Sequence, residues 1–134
     1  MIKSITQEES MGCGIACVAF ALRKSYKATK KLFNNPHYSQ SRGYYCKELV
    51  EVLNKNGLNY SFKKFKEKYK SLLNKEGTII FVKKSKKYPL GHYLIKTKRG
   101  WMNSWINFPN ISPTKSGFQK KLPKEAQWII YSTN

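Results

Sequence analysis

Acidic residues are scarce in this sequence: 7 Asp and Glu stand against 26 Lys and Arg, which gives a formal net charge of +19. A positive field of this size attracts polyanions and acidic proteins, but it carries no information about the fold. The sequence also lacks helix-turn-helix, zinc-finger and RNP-type motifs, which argues against sequence-specific recognition of nucleic acid. Most of the cations are lysines dispersed along the chain. We therefore expect acidic protein or peptide partners, and any contact with nucleic acid to be non-specific.

Long apolar segments are absent as well. No run approaches the roughly 18 apolar residues needed to span a bilayer, and the stretch MIKSITQEESMGCG lacks the apolar core of a signal peptide. Only 3 cysteines are present, an odd number that does not suggest a disulfide framework. These absences predict a cytoplasmic protein without a membrane span, whose cysteines are thiols in reactive or buried roles.

Repeats, linkers and low-complexity tracts are also missing from the 134 residues. A chain of this length most simply forms one domain, and 40% hydrophobic residues suffice for a modest packed core. We therefore predict a single globular domain over residues 1–134. The sequence carries no feature that fixes its oligomeric state.

Helical periodicity marks two segments in the first half of the chain. Residues 12–24 repeat apolar side chains at helical spacing, and they predict a buried helix that begins near Cys13, with Ser10 as its cap. Residues 44–56 carry a second apolar stripe, followed by Gly57 as a C-cap signal. This segment is typical of an amphipathic helix.

Strand-like patterns dominate the second half, interrupted once by a helix-like stretch at 63–77. The predicted strands cover residues 58–62, 78–84, 92–97, 101–106 and 126–132. A tight turn at 98–100 joins two of them into an antiparallel hairpin. Helices first and antiparallel strands later indicate an α+β protein, with N-terminal helices packed on a C-terminal antiparallel sheet.

Cys13 stands between two glycines, Gly12 and Gly14, at the start of the first predicted helix. A thiol becomes a useful nucleophile when its pKa falls, and the positive end of a helix together with a neighbouring imidazolium lowers it. The glycines would permit tight backbone geometry and close approach of another chain. Cys13 is therefore a candidate nucleophile. Two other interpretations stand beside this one: Cys13 pairs with Cys17 in a metal site or disulfide, or both cysteines belong to the core.

A base for Cys13 must come from one of 2 histidines. His37 lies in a polar stretch that would not hold its ring rigidly, whereas His92 opens an apolar strand where packing would fix it. Pairing across the hairpin turn brings Asn103 near His92, and Asn107 is the alternative partner. Either amide would hold the tautomer of the base. His92 in a purely structural role is the competing interpretation.

Gln7 precedes Cys13 by six residues, and its side-chain amide can lie beside the Cys13 backbone N–H as a donor to an oxyanion. An ordinary surface position for Gln7 is the alternative. Cys46 is most simply a core residue or an inert surface thiol. The three tryptophans are core candidates, and one of them beside the site would shield the His–Asn hydrogen bond from water. Zinc requires four ligands, and no compact second pair accompanies the two early cysteines, so we expect no metal.

The segment QEESMGCGIACVAFAL resembles the nucleophile segment of the bacteriocin-processing, double-glycine leader peptidases of the papain-like superfamily. The matching residues are Gln7, Cys13, Gly14, Ala16 and Cys17. In that family the catalytic His opens a strand, as in GHYLI, and an Asp or Asn lies beyond the following turn, as Asn103 does in WMNSWINFP. The resemblance covers most of the chain, although Gly12 stands where the family often has Asp.

The resemblance implies a papain-like two-part fold and a cysteine peptidase that hydrolyses peptide or isopeptide bonds, with a preference for glycine-rich segments. A Cys13 thiolate paired with protonated His92 would attack the scissile carbonyl, Asn103 would orient His92, and Gln7 would donate to the oxyanion. No cofactor is implied. The alternatives are a catalytically inactive peptide-binding module of the same fold and a basic protein associated with nucleic acid.

Overall fold

The computed structural model describes residues 2–134, in which three α-helices precede the strands. The helices are α1 (Cys13–Leu22), α2 (Tyr26–Lys30) and α3 (Cys46–Lys55), with 3-10 helices at Pro36–Gln40 and Glu67–Asn74. The strands are β1 (Tyr60–Lys64), β2 (Ile79–Val82), β3 (His92–Thr97), β4 (Gly100–Asn103), β5 (Gly117–Gln119) and β6 (Ala126–Ser132). No helix within residues 2–134 has the length and apolar character that crossing a membrane requires.

Helix α1 lies in the core, and all of residues 13–19 are buried. Its apolar composition explains this position, because a helix without a polar face must be covered on every side. The helix begins at Cys13, which confirms the predicted start. The predicted Ser10 cap is wrong, because Gly12 occupies the cap position and the helix has no side-chain cap bond.

Helix α3 packs against α1 and β1 through a buried stripe that includes Leu49 and Leu53. It begins where the backbone N–H of Tyr45 donates to the Glu48 carboxylate at 2.8 Å. It ends before Gly57, whose φ of 95° is one that glycine adopts readily. These bounds confirm the amphipathic helix that the sequence predicts for this segment.

The six strands named above form one antiparallel sheet in the order β1-β6-β2-β3-β4-β5. The β3–β4 hairpin pairs Thr97 with Gly100 and Ile95 with Met102. The last strand, β6, lies between β1 and β2, so β1 and β5 form the two edges of the sheet. Helices on one face of an antiparallel sheet confirm the predicted α+β arrangement.

Two hydrophobic clusters pack on opposite faces of the sheet. Tyr93 and Ile95 belong to the cluster that includes α1 and α3, whereas Leu94 and Trp101 belong to the other. This division follows from the alternation of side chains along a strand. The 3-10 helix at 67–74 covers the second cluster, so both faces of the sheet are protected from water.

The helix predicted at 63–77 is wrong. Lys63 and Lys64 belong to β1 and pair with Ile129 and Trp128 of β6, and only a 3-10 helix follows them. Pairing with β6 outweighs the local helix propensity of this lysine-rich segment. Because of this pairing, β1 ends at Lys64, two residues beyond the end of the strand predicted at 58–62.

The strand predicted at 101–106 ends early, at Asn103. There the side-chain oxygen of Asn103 accepts the backbone N–H of Trp105 at 3.0 Å. This bond closes a turn and removes a donor from the strand ladder. The other side of β4 pairs with β5, where Asn103 faces Gly117, and β5 is a strand that the sequence pattern did not predict.

Candidate active site

Cys13 is the first residue of α1, at the point where that helix meets the start of β3. The backbone N–H groups of Tyr93, the residue after His92, and of Gly14 are close enough to its sulfur to lower the pKa of the thiol. Cys13 is 9% exposed and lines an open groove. The fold therefore brings the sulfur to the strand that His92 opens.

The two glycines beside Cys13 serve the packing of the protein's own chain. A Cβ atom at Gly12 would overlap the Tyr26 hydroxyl, and one at Gly14 would lie 3.0 Å from Leu49 Cδ1. The close approach predicted for these glycines is therefore made by neighbouring segments of the protein itself. The glycines are needed because the loop and the helix start are pressed against their neighbours.

Gln7 holds the loop that leads to Cys13. It is 3% exposed, so the alternative of an ordinary surface residue is wrong. Its Nε2 donates to the carbonyl groups of Glu9 (2.9 Å) and Ser10 (3.1 Å), and its Oε1 accepts the Ser104 hydroxyl at 2.8 Å. Both amide hydrogens thus bind the loop. Donation to an oxyanion stays a prediction, and it requires one hydrogen to turn away from the loop.

His92 and Asn103 form a buried pair at the end of the β3–β4 hairpin. Nε2 of His92 lies 2.8 Å from Oδ1 of Asn103, and both residues are fully enclosed by protein. Asn107, the alternative partner, instead bonds within its own loop, to the Pro113 carbonyl (3.0 Å) and the Lys115 N–H (2.8 Å). The structure therefore brings Asn103 to His92.

The orientation of the Asn103 amide, that is, which end atom is oxygen and which is nitrogen, follows from neighbours that can only donate or only accept a hydrogen bond. The Trp105 backbone N–H must donate, so the atom that it contacts is Oδ1. The Tyr88 hydroxyl gives its single proton to the Trp105 carbonyl (2.8 Å), and its oxygen accepts from Asn103 Nδ2 at 2.9 Å. Because Oδ1 can only accept, neutral His92 carries its proton on Nε2 and leaves Nδ1 unprotonated. This is the tautomer that a base acting through Nδ1 requires.

Burial sets the proton state of the Cys13 thiol. It raises the pKa of Cys13 to about 11, and the N–H groups of Tyr93 and Gly14, which act in the opposite direction, do not compensate. The N–H groups at the helix start lower this pKa, as expected, but desolvation of the thiolate raises it by more, so the net shift is opposite to the one predicted. At neutral pH the sulfur keeps its proton.

Burial also sets the charge of His92. It lowers the pKa of His92 to about 4, while the hydrogen bond to Asn103 acts in the opposite direction and the positive charge of Lys87 lowers the pKa further. The imidazole is thus neutral at pH 7, and it can accept a proton there.

The protein should lose stability as the pH falls from 6.5 towards 4. The folded pKa of His92 lies below the ordinary value of 6.5, so the unfolded chain binds the proton first as the pH falls. The stability contributed by neutral His92 is complete above pH 6.5 and is lost by about pH 4. The shift is equivalent to about 3 kcal/mol of unfolding free energy, which urea titrations across this range would measure.

The control for this titration is His92→Gln, in which the side chain at position 92 no longer titrates. The pKa values of Glu9 and Glu48 are lowered, so the stability that these carboxylates contribute is lost only below pH 4.5. The variant should therefore show a flat profile down to that point. An equally steep loss in the variant would show that His92 is not its source.

Tyr88 covers the imidazole of His92. The two rings are parallel, with centroids 4.1 Å apart and an interplanar angle of 6°. The ring that stacks on His92 is thus a tyrosine, whereas Trp105 reaches Asn103 through its backbone N–H and its indole bonds to the Asn110 carbonyl. Tyr88 could not be predicted from the sequence, since a loop residue four positions before His92 leaves no periodic signal.

A groove of about 570 Å³ passes Cys13. Its walls are largely aromatic and aliphatic, and three of its residues, Tyr45, Phe62 and Leu90, are large apolar side chains exposed at the surface. The lining residues within the described part of the chain include basic side chains and no acidic ones. The basic residues are Arg42, Lys47 and Lys84, of which Arg42 is paired with Glu48 at 2.9 Å.

The remaining cysteines and histidine lie apart from the His92–Asn103 pair. Cys17 is fully buried, as the core interpretation predicts, and Cys46 lines the groove with its sulfur 3.7 Å from the Tyr93 hydroxyl. His37 lies in the first 3-10 helix against the Tyr38 ring. All 3 cysteines are free thiols, and residues 2–134 contain no group of three His, Cys, Asp or Glu side chains that could hold a metal ion.

Comparison with known proteins identifies the fold. No family model matches the sequence, and no curated protein does. Solved structures do match, among them the peptidase domain of Streptococcus ComA, a bifunctional ABC transporter involved in a quorum-sensing pathway. That domain has a TM-score of 0.57 and 17% sequence identity to this chain, and the match covers 95% of this chain and 94% of the other. The chain therefore has a papain-like peptidase fold, as the sequence resemblance predicts.

Proposed function

We propose that this protein is a cysteine peptidase in which Cys13 is the nucleophile, His92 is the general base and Asn103 orients the base. One observation carries the proposal. Cys13 and Tyr93, the residue directly after His92, line the same groove, the Tyr93 N–H is close enough to lower the pKa of the Cys13 thiol, and Nε2 of His92 bonds to Asn103 at 2.8 Å. The fold shared with a solved peptidase domain supports the same assignment.

The reaction starts from an uncharged pair, because the pKa of the Cys13 thiol is raised and that of His92 is lowered. Nδ1 of His92 takes the thiol proton as the sulfur attacks the scissile carbonyl carbon. The Cys13 backbone N–H stabilises the oxyanion, together with Gln7 once one of its amide hydrogens leaves the loop. As the C–N bond breaks, His92 protonates the leaving amine. Water, deprotonated by His92, then hydrolyses the thioester and restores the thiol.

The groove suits an extended peptide that carries apolar and acidic side chains. Its aromatic walls would bind the apolar ones, and Lys47 and Lys84 would attract the acidic ones. The net charge of +19 would further speed the approach of acidic substrates at low salt. Cleavage after glycine-rich segments rests on the sequence resemblance rather than on the groove.

A peptide-binding module without turnover is the second candidate, and the raised pKa of the Cys13 thiol favours it. Both candidates use the same groove. They differ in whether His92 removes the proton from Cys13 when an electrophile is present.

Alkylation with iodoacetamide at neutral pH distinguishes the two candidates. If Cys13 has a base beside it, this thiol should react about tenfold or more faster than Cys17 and Cys46. Timed quenching followed by peptide mass mapping measures all three rates in one sample. His92→Gln is the control and should slow Cys13 alone. Equally slow labelling of the three thiols in the unaltered protein would favour the inactive module.

A further inference from the structure

We infer that Tyr88 is the positioning residue of this site: it holds the His92 ring and the Asn103 amide in one geometry. The inference rests on the proposed function. Tyr88 is buried and contacts both partners, stacking on the His92 ring and accepting a hydrogen bond from Asn103 Nδ2 at 2.9 Å.

The stacked ring supplies a restraint that the hydrogen bond cannot. One bond between His92 Nε2 and Asn103 Oδ1 fixes a single direction and leaves the imidazole free to rock about that line. A parallel ring with its centroid 4.1 Å away blocks this motion on one face. Nδ1, the atom that must take the thiol proton, is thereby held in place.

Tyr88 is itself held rigidly. Its backbone N–H donates to the Ser85 hydroxyl at 3.0 Å, and its carbonyl accepts the N–H groups of Ser85 and Gly91, each at 3.0 Å. Its hydroxyl donates to the Trp105 carbonyl at 2.8 Å, and the Phe108 ring packs beside it at 5.3 Å. A braced residue of this kind can restrain its neighbours instead of following their motion.

The bonds of Asn103 separate the role of Tyr88 from the choice of tautomer. The second Nδ2 hydrogen of Asn103 binds Gln119 Oε1 at 2.8 Å, and the Trp105 N–H still identifies Oδ1 when the Tyr88 hydroxyl is removed. Tyr88→Phe should therefore keep the proton of His92 on Nε2. Removing the Tyr88 hydroxyl should instead make the His92 ring less ordered and slow the alkylation of Cys13.

The test compares Tyr88→Phe, which keeps the stacked ring, with Tyr88→Leu, which removes it. Tyr60→Phe is the matched control, because the buried Tyr60 hydroxyl also donates to a backbone carbonyl, that of Gly77, at 2.8 Å. One measurement is the rate of Cys13 alkylation by iodoacetamide. The other is the ¹⁵N-edited NMR signal of the His92 Nε2 proton, which reports the tautomer and its protection from exchange.

We expect Tyr88→Phe to lower the alkylation rate about fivefold and Tyr88→Leu about thirtyfold, while Tyr60→Phe stays within about twofold of the unaltered protein. The Nε2 proton should exchange faster in Tyr88→Leu and keep its protection in Tyr60→Phe. Circular dichroism shows whether each variant is folded. If Tyr88→Leu is unfolded, Tyr88→Phe alone tests the inference.

Unchanged alkylation and unchanged exchange in both Tyr88 variants would overturn the inference, as would an equal loss in Tyr60→Phe, which would point to general destabilisation. Failure of the proposed function looks different, because Cys13 would then react no faster than Cys46 in the unaltered protein. In that case the exchange of the Nε2 proton still decides whether Tyr88 holds the ring.

Discussion

Cys13→Ala is expected to abolish peptide cleavage and to leave the fold intact. The substitution removes the proposed nucleophile, and neither of the other two thiols has its pKa lowered by the Tyr93 backbone N–H. Protein N-termini compared between cells with the unaltered protein and cells with the variant would show the loss. The N-termini that disappear should follow segments rich in acidic and apolar residues. The thiol is only 9% exposed, so its removal should cost about 1 kcal/mol of unfolding free energy.

Cys17→Ala is the matched control for this experiment, since it truncates the same side chain one helical turn later. Cys17 is fully buried in the core and does not line the groove, so its truncation should lower stability at least as much. Cleavage should nevertheless persist in cells with that variant. New N-termini that survive in the Cys13→Ala cells would show that another residue carries the reaction.

Asn103→Asp should destabilise the protein by about 2–3 kcal/mol at pH 7, even though it changes one atom. The new oxygen would replace Nδ2, which donates to the Tyr88 hydroxyl at 2.9 Å and to Gln119 Oε1 at 2.8 Å. Tyr88 can donate to a carboxylate only by abandoning the Trp105 carbonyl, and Gln119 would face it with another acceptor. Urea unfolding of both proteins measures the difference.

The control is Asn107→Asp, which makes the same chemical change at a residue whose bonds lie in its own exposed loop. Its effect should stay near 1 kcal/mol or less. The deficit of Asn103→Asp should also shrink as the pH falls towards 4, because a buried carboxyl has a raised pKa and the protonated form is tolerated better. Equal losses in the two variants at pH 7 would mean that the Asn103 network does not select an amide.

The sequence predicts those parts of the fold whose signals are local. A continuous apolar stretch fixed the start of α1 at Cys13, and a short turn fixed the β3–β4 hairpin. The helix prediction at 63–77 is wrong because the start of this segment pairs with β6, whose residues lie far along the chain. No property of Lys63 or Lys64 alone reports that partner, and their intrinsic preferences point elsewhere.

The candidate site likewise has features that local sequence signals predict and features that only the fold determines. Cys13, His92 and Asn103 could be proposed because each has a recognisable residue type and local context. Their proton states could not, since burial by surrounding segments, rather than position on a helix, sets the pKa of Cys13 and of His92. The role of Tyr88 could not be predicted either, because only the folded loop places its ring on the imidazole of His92.

Because β1 lies at the edge of the sheet, two of its lysines protect the protein against the addition of strands from other molecules. A rim strand offers unpaired N–H and C=O groups to which a strand from another molecule can add, and such addition begins aggregation. Lys63 and Lys64 are both exposed on this strand, so a second copy would bring like charges together. The opposite rim, β5, has only 3 residues and offers a poor template. Neutralising the two lysines would thus expose the chain to fibrillar self-association without touching the chemistry of its groove.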